Sequence, residues 1–79
     1  MYLHIGKDYI LNTNDIIGIF DIEALKKTNS YDNLIKKIDK IEDISGNKKK
    51  SIILTIENNE KKAYISNILS TTIASRDTI

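Results

Sequence analysis

Lys48-Lys49-Lys50 follow Gly46-Asn47 and run directly into Ser51-Ile52-Ile53-Leu54-Thr55-Ile56. Successive ammonium groups suit polyanion binding, because each is a compact charge that meets a phosphate oxygen and displaces its counterion. The residues after them demand the opposite environment. They are nearly all β-branched, and stiffness at χ1 favours a pleated strand over a helix. An unpaired ammonium loses several kcal/mol on leaving water, so it cannot follow that strand into a core. A buried strand is therefore expected, with the lysine turn pushed out to a sheet edge. A solubilising turn would carry the same charge run, and the pattern alone does not separate the two roles.

Other chemistry finds little support. There is no Cys, which excludes a thiol nucleophile, disulfides and thiolate metal sites, and His4 is the sole imidazole. A serine triad would need His4 as its base, yet His4 lies on a period-two strand where a structural or surface role is the ordinary one. Asp15 and Asp21 could edge one strand, but a two-carboxylate acid–base site needs a cleft to move their pKa values apart. No glycine-rich phosphate loop occurs. The sequence predicts no enzyme, no metal, no cofactor and no small-molecule substrate.

With 79 residues the chain has room for one domain, residues 1–79, and no second core. Chains of this size bury only about 60–65% of the surface their unfolded form exposes, which leaves the core marginal. Small domains make up the deficit with disulfides, metal or self-association. Without cysteine, self-association is the remedy left, and a homo-oligomer is expected. Hydrophobic content of 41% and charged content of 29% are those of a globular chain. The longest apolar run, Ile16-Ile17-Gly18-Ile19-Phe20, stops at Asp21, far short of the roughly 20 residues of a membrane span. Met1 to Asp8 lacks a basic region followed by an apolar stretch, so no signal peptide and a cytoplasmic location are expected.

The elements that must position the lysines follow in order. Tyr2 to Ile5 and Tyr9 to Leu11 read as two short strands around Gly6-Lys7-Asp8, where Gly6 can take positive φ. Asn12 to Asp15 is turn-prone, and Ile16 to Asp21 reads as a third strand with a bulge at Gly18. A strict alternation there cannot bury Ile17, Ile19 and Phe20 within one protomer, which makes them candidate oligomer-interface residues. Ile22 and Leu25 suit a short helical turn. Thr28-Asn29-Ser30 offers N-caps for an amphipathic helix whose apolar face is Leu34, Ile35, Ile38 and Ile41. Ile41 to Ser45 also suits a short strand. Ser51 to Glu57 and Lys61 to Ser66 form a hairpin, for which a two-residue Asn58-Asn59 loop is preferred. That register puts Glu57 opposite Glu60 but gathers Ile52, Leu54, Ile56, Ala63 and Ile65 on one face, and apolar burial outweighs one exposed repulsion. Ser70 caps a short C-terminal helix that frays over the last residues. The expected class is α+β: a small, mostly antiparallel sheet with one main amphipathic helix and a short C-terminal helix.

Tyr2-Leu3-His4-Ile5-Gly6, Asn12 to Asp21 and Lys50 to Ile56, in that order, closely resemble the RemA/RemB-type extracellular matrix (biofilm) regulators of low-GC bacteria. The resemblance covers nearly the whole chain and is strongest in its first 21 residues. It implies a DNA-binding transcriptional regulator without enzymatic activity, assembled into closed rings from α+β protomers similar to the LytTR DNA-binding module. It also implies that residues after the turn glycine contact DNA, here Asn47, Lys48, Lys49 and Lys50. The family's arginines are replaced, which removes the planar fork that grips phosphate or guanine bidentately. Asn14 likewise stands where a basic residue is common.

A net charge of +1 makes the lone chain a poor ligand for double-stranded DNA. A ring would repeat the lysine turn and couple weak contacts through effective concentration. The rival expectation is a structural or partner-binding oligomer with no nucleic-acid role. RNA is the weaker partner, since the lysine turn has no aromatic on which a base could stack.

Overall fold

The computed structural model describes residues 1–76. Strand β5 (Ser51–Glu57) is an inner strand of a four-stranded sheet, and its residues Ser51 to Thr55 are all buried. A strand covered on both faces is apolar on both, which is why the run does not alternate. β3 (Ile16–Asp21) and β6 (Glu60–Ser66) flank it antiparallel, while β4 (Lys40–Asp43) joins β6 in parallel. Two more strands, β1 (Tyr2–Gly6) and β2 (Tyr9–Asn12), pair as a separate hairpin.

Three layers result. On one face of the sheet, Leu3, Ile5 and Leu11 of the hairpin meet Ile53, Tyr64, Ile44 and Ile73. Ile73 belongs to α3 (Ser70–Ala74). On the other face, Ile52 and Ile65 pack with Ile22 of α1 (Ile22–Lys26) and with Tyr31, Leu34 and Ile35 of α2 (Ser30–Lys36).

Local chemistry accounts for most boundaries. Asn58 and Asn59 both take positive φ, 53° and 67°, the geometry of a two-residue type I′ hairpin turn. Glu57 pairs with Glu60, so the preferred register holds. The register of β3 on β5 shifts between Ile16 and Gly18, the bulge expected at this glycine. A Cβ on Gly18 would lie 2.6 Å from the Phe20 ring, so glycine lets that ring fold over the strand. Asn12 starts a single 3-10 turn over Thr13–Asp15 by accepting from the Asn14 N–H at 3.0 Å. The Asp21 carboxylate caps α1 through the Glu23 N–H at 3.0 Å.

Three expectations are corrected. The amphipathic helix ends at Lys36 rather than running to Ile41, which lies on β4 and is 44% exposed. The Asp39 N–H donates to the Lys61 carbonyl at 2.9 Å, and the Asp39 carboxylate accepts the Lys61 N–H at 2.9 Å. Capture by β6 thus outcompetes another helical turn. Neither later helix has a side-chain cap: Asn29, one of the three offered residues, is the N-cap of α2 but sits in the left-handed region without a side-chain hydrogen bond, and Leu69, not Ser70, is the N-cap of α3. The lysine turn lies at the end of the central strand, not along a sheet edge. The expected fraying of the last residues falls outside those described.

Candidate nucleic-acid interface

The lysine turn is exposed in its side chains and anchored in its backbone. Asn47, Lys48, Lys49 and Lys50 are all exposed, immediately before buried Ser51. Gly46 takes φ +66°, a conformation that costs glycine nothing sterically. The Lys50 N–H donates to the Ser66 carbonyl at 2.9 Å, and its carbonyl accepts from the Ile22 N–H at 3.1 Å. One residue therefore ties the turn to the end of β6 and to the start of α1. At the other end, Asp43 Oδ1 accepts from the Ser45 N–H at 2.9 Å and from Ser45 Oγ at 2.5 Å. Lys49 Nζ stands 3.8 Å from Asp43 Oδ2. The Ser45 hydroxyl and N–H, with the Lys49 charge, hold the Asp43 carboxyl below the usual range. Three consecutive ammonium groups on a fixed scaffold can contact successive anionic groups.

A family model described as RemA-like, Extracellular matrix regulatory protein A-like, matches residues 2–76. Extracellular matrix regulatory protein B of Bacillus subtilis (strain 168) is 34% identical over 76 residues, covering 96% of this chain and 89% of that protein. The chain belongs to the RemA-like family.

In this RemA-like chain the other singled-out residues are dispersed. Ile17 is 53% exposed at the bulge, whereas half-buried Ile19 packs on the hairpin-side core and Phe20 on the helix-side core. Met1, Tyr2 and Ile10 are exposed on and beside the hairpin. His4 Nε2 lies 2.6 Å from the Lys7 carbonyl, and Arg76 donates to the His4 carbonyl at 3.2 Å. These contacts, like the helix cap of Asp21, employ the groups structurally. Among the described residues, no group of three or more His, Asp or Glu is placed to hold a metal ion, and no helix is long and apolar enough to cross a membrane.

One polar assembly was not visible in the sequence. Lys62 Nζ donates to the Tyr64 hydroxyl at 2.9 Å, and that hydroxyl and Thr55 Oγ1 each donate to Glu57 Oε2 at 2.8 Å. Tyr9 of the hairpin donates to Glu42 of β4 at 3.2 Å. The only trace in the sequence is that Thr55, Glu57, Lys62 and Tyr64 fall on one face once the hairpin register is set. Lys62 is consequently half-buried and committed, unlike exposed Lys61.

The assembly gives stability a defined pH dependence. Burial, then Lys62 and Glu57, act on Tyr64, whose net shift is upward; the Glu42 hydrogen bond raises Tyr9, and the Tyr64 hydrogen bond raises Lys62. Groups raised on folding contribute stability below their unfolded values, about 10–10.4, and lose it as pH rises through their folded values. For Glu57, burial acts upward but Thr55, Tyr64 and Lys62 together bring the pKa down. With Asp43 also lowered, that contribution is present above roughly pH 4.3 and is lost as pH falls through the folded values. Urea midpoints should thus hold steady near neutrality and drop above about pH 10. Tyr64→Phe should lower the neutral midpoint and flatten the alkaline fall. An equal fall in both proteins would remove Tyr64 as its source.

Proposed function

We propose that this protein is a cytoplasmic, DNA-binding transcriptional regulator of extracellular matrix genes that acts as a homo-oligomeric ring. Asn47, Lys48, Lys49 and Lys50 meet the DNA backbone in this reading. The observation that carries it is the row of exposed lysines on a turn hydrogen-bonded to both β6 and α1. Membership of a family of extracellular matrix regulatory proteins supports the regulatory role. Lysines without arginine suit backbone phosphates, so sequence selectivity must draw on the spacing of turns around the assembly and on DNA shape.

Duplex binding measured by fluorescence anisotropy across a salt series, with light scattering of the same samples, tests the proposal. Binding should weaken steeply with salt, and the bound species should be an oligomer. Absence of duplex binding at low salt, with oligomers intact, would leave a structural or partner-binding assembly as the function.

Ile17 is the candidate interface residue whose role can be separated from folding. Ile17→Asp should reduce the mass by light scattering while the circular dichroism and monomer fold persist, because Ile17 is exposed. Phe20→Asp should unfold the chain, since it places a carboxylate against the core of Ile22, Ile52 and Ile65. An unchanged mass for Ile17→Asp would move the interface elsewhere, with the exposed hairpin residues Tyr2 and Ile10 next in line.

A further inference from the structure

The single ion pair among the described residues joins the lysine turn to the strand before it, Lys49 to Asp43. Its two halves are not equally free. Asp43 ends β4, its backbone is paired with Ile65, and its Oδ1 takes both Ser45 donors. Turning the carboxylate away would break two hydrogen bonds. Lys49 is 48% exposed in its side chain and is held only by the charge across 3.8 Å. That separation is longer than the roughly 2.7–2.9 Å of a charge-assisted hydrogen bond, so the pair gives Lys49 no fixed direction. The anion is held by two hydrogen bonds, and the cation by the ion pair alone.

We propose that Asp43 is a built-in competitor of phosphate: latched by Ser45, it occupies Lys49 and limits the charge that the turn offers to DNA. This rests on the nucleic-acid reading above and adds its regulation. A phosphate approaching Lys49 must replace the Asp43 carboxylate and tolerate it as a neighbour. Lys48 has no such partner within ion-pairing distance among the described residues. Lysines 48 and 49 are therefore unequal despite being adjacent residues of the same type. Across an oligomer the restraint repeats in every subunit, which keeps weak, non-specific binding low and favours duplexes that engage many turns at once.

Asp43→Asn tests the idea, because an amide oxygen still accepts from Ser45 while the charge is lost. Glu60→Gln, at the far hairpin tip, makes the same change in net charge. Duplex anisotropy and elution from heparin, a polyanion that is not DNA, are read for both. Asp43→Asn should tighten duplex binding by about 1.4- to 5-fold per turn, the factor that corresponds to a surface ion pair. It should also elute from heparin at higher salt than Glu60→Gln. With Asp43 intact, Lys49→Ala should weaken both interactions less than Lys48→Ala, a comparison that holds even if Asp43→Asn does not fold. Equal effects of Asp43→Asn and Glu60→Gln, or a loss from Lys49→Ala as large as from Lys48→Ala, would overturn the competitor. If heparin elution moves as described while no variant binds duplex, the competitor stands and the DNA reading falls. If duplex binds but ignores Asp43, the reverse holds.

Discussion

Replacing Lys48, Lys49 and Lys50 together by alanine is expected to abolish duplex binding while leaving the fold and the oligomeric state unchanged. Their side chains are exposed, and the hydrogen bonds that anchor the turn are made by backbone atoms, which alanine keeps. Exposed substitutions of this kind usually shift stability by no more than about 0.5 kcal/mol. For the proposed ring the binding loss should be large, because every subunit would lose its contacts at once. The slope of log affinity against log salt should flatten by about 0.9 for each phosphate contact removed. Lys36, Lys37 and Lys61 supply a control of equal charge, since all three are exposed. Lys61 lies at the end of β6 opposite Ser66, about 17 Å along the strand at roughly 3.4 Å per residue, and Lys36 and Lys37 close α2 ahead of Lys40, which pairs with Lys62. Lys62 is unsuitable for this purpose because Tyr64 and Glu57 engage it. Equal losses in the two triple variants would mean that diffuse positive charge, not the turn, binds DNA.

Ile53→Ala should have the largest effect on folding. Ile53 is fully buried at the centre of β5, among Leu3, Ile5, Leu11, Ile44, Tyr64 and Ile73. Truncating such a residue costs about 2–5 kcal/mol, from lost transfer energy and the cavity left behind. A 79-residue domain has a total stability of roughly 4–12 kcal/mol, at about 0.05–0.15 per residue. The variant should therefore lose much of its stability, and at the low end of that range it should be largely unfolded at room temperature. Ile53→Val, which removes one methyl, should cost about 0.5–1.5 kcal/mol. Ile56→Ala, on the same strand but 44% exposed, should change little. Urea denaturation at several protein concentrations measures all three, since a self-associating protein gains stability with concentration. Similar midpoints for Ile53→Ala and Ile56→Ala would show that β5 is not the centre of the stabilising core.

Elements with local signals were legible in the order of residues alone. β-branched stiffness marked β5, paired asparagines closed its hairpin, and Gly18 marked the bulge. Summed apolar burial chose the hairpin register against the Glu57–Glu60 repulsion. The lysine turn was legible for the same reason, because three ammonium groups beside a buried strand have to be exposed. The remaining features depend on partners far apart in the chain. Ile38 and Ile41 continue a helical period, and only the capture of Asp39 by Lys61 ends the helix and opens a parallel strand. Ile19 and Phe20 look surplus on a strand that alternates. The Gly18 bulge, together with separate cores on the two faces of the sheet, partly buries both and leaves Ile17 outside. Lys62 reads as another surface lysine until β6 places it beside Tyr64 and Glu57. Asp43 and Lys49 are brought together by the closure of one loop, whose geometry depends on where β4 ends and on the Ser66 and Ile22 hydrogen bonds that hold Lys50. Local propensity is carried by neighbouring residues, whereas register, crossover and charge pairing are set by residues that meet only in the folded chain.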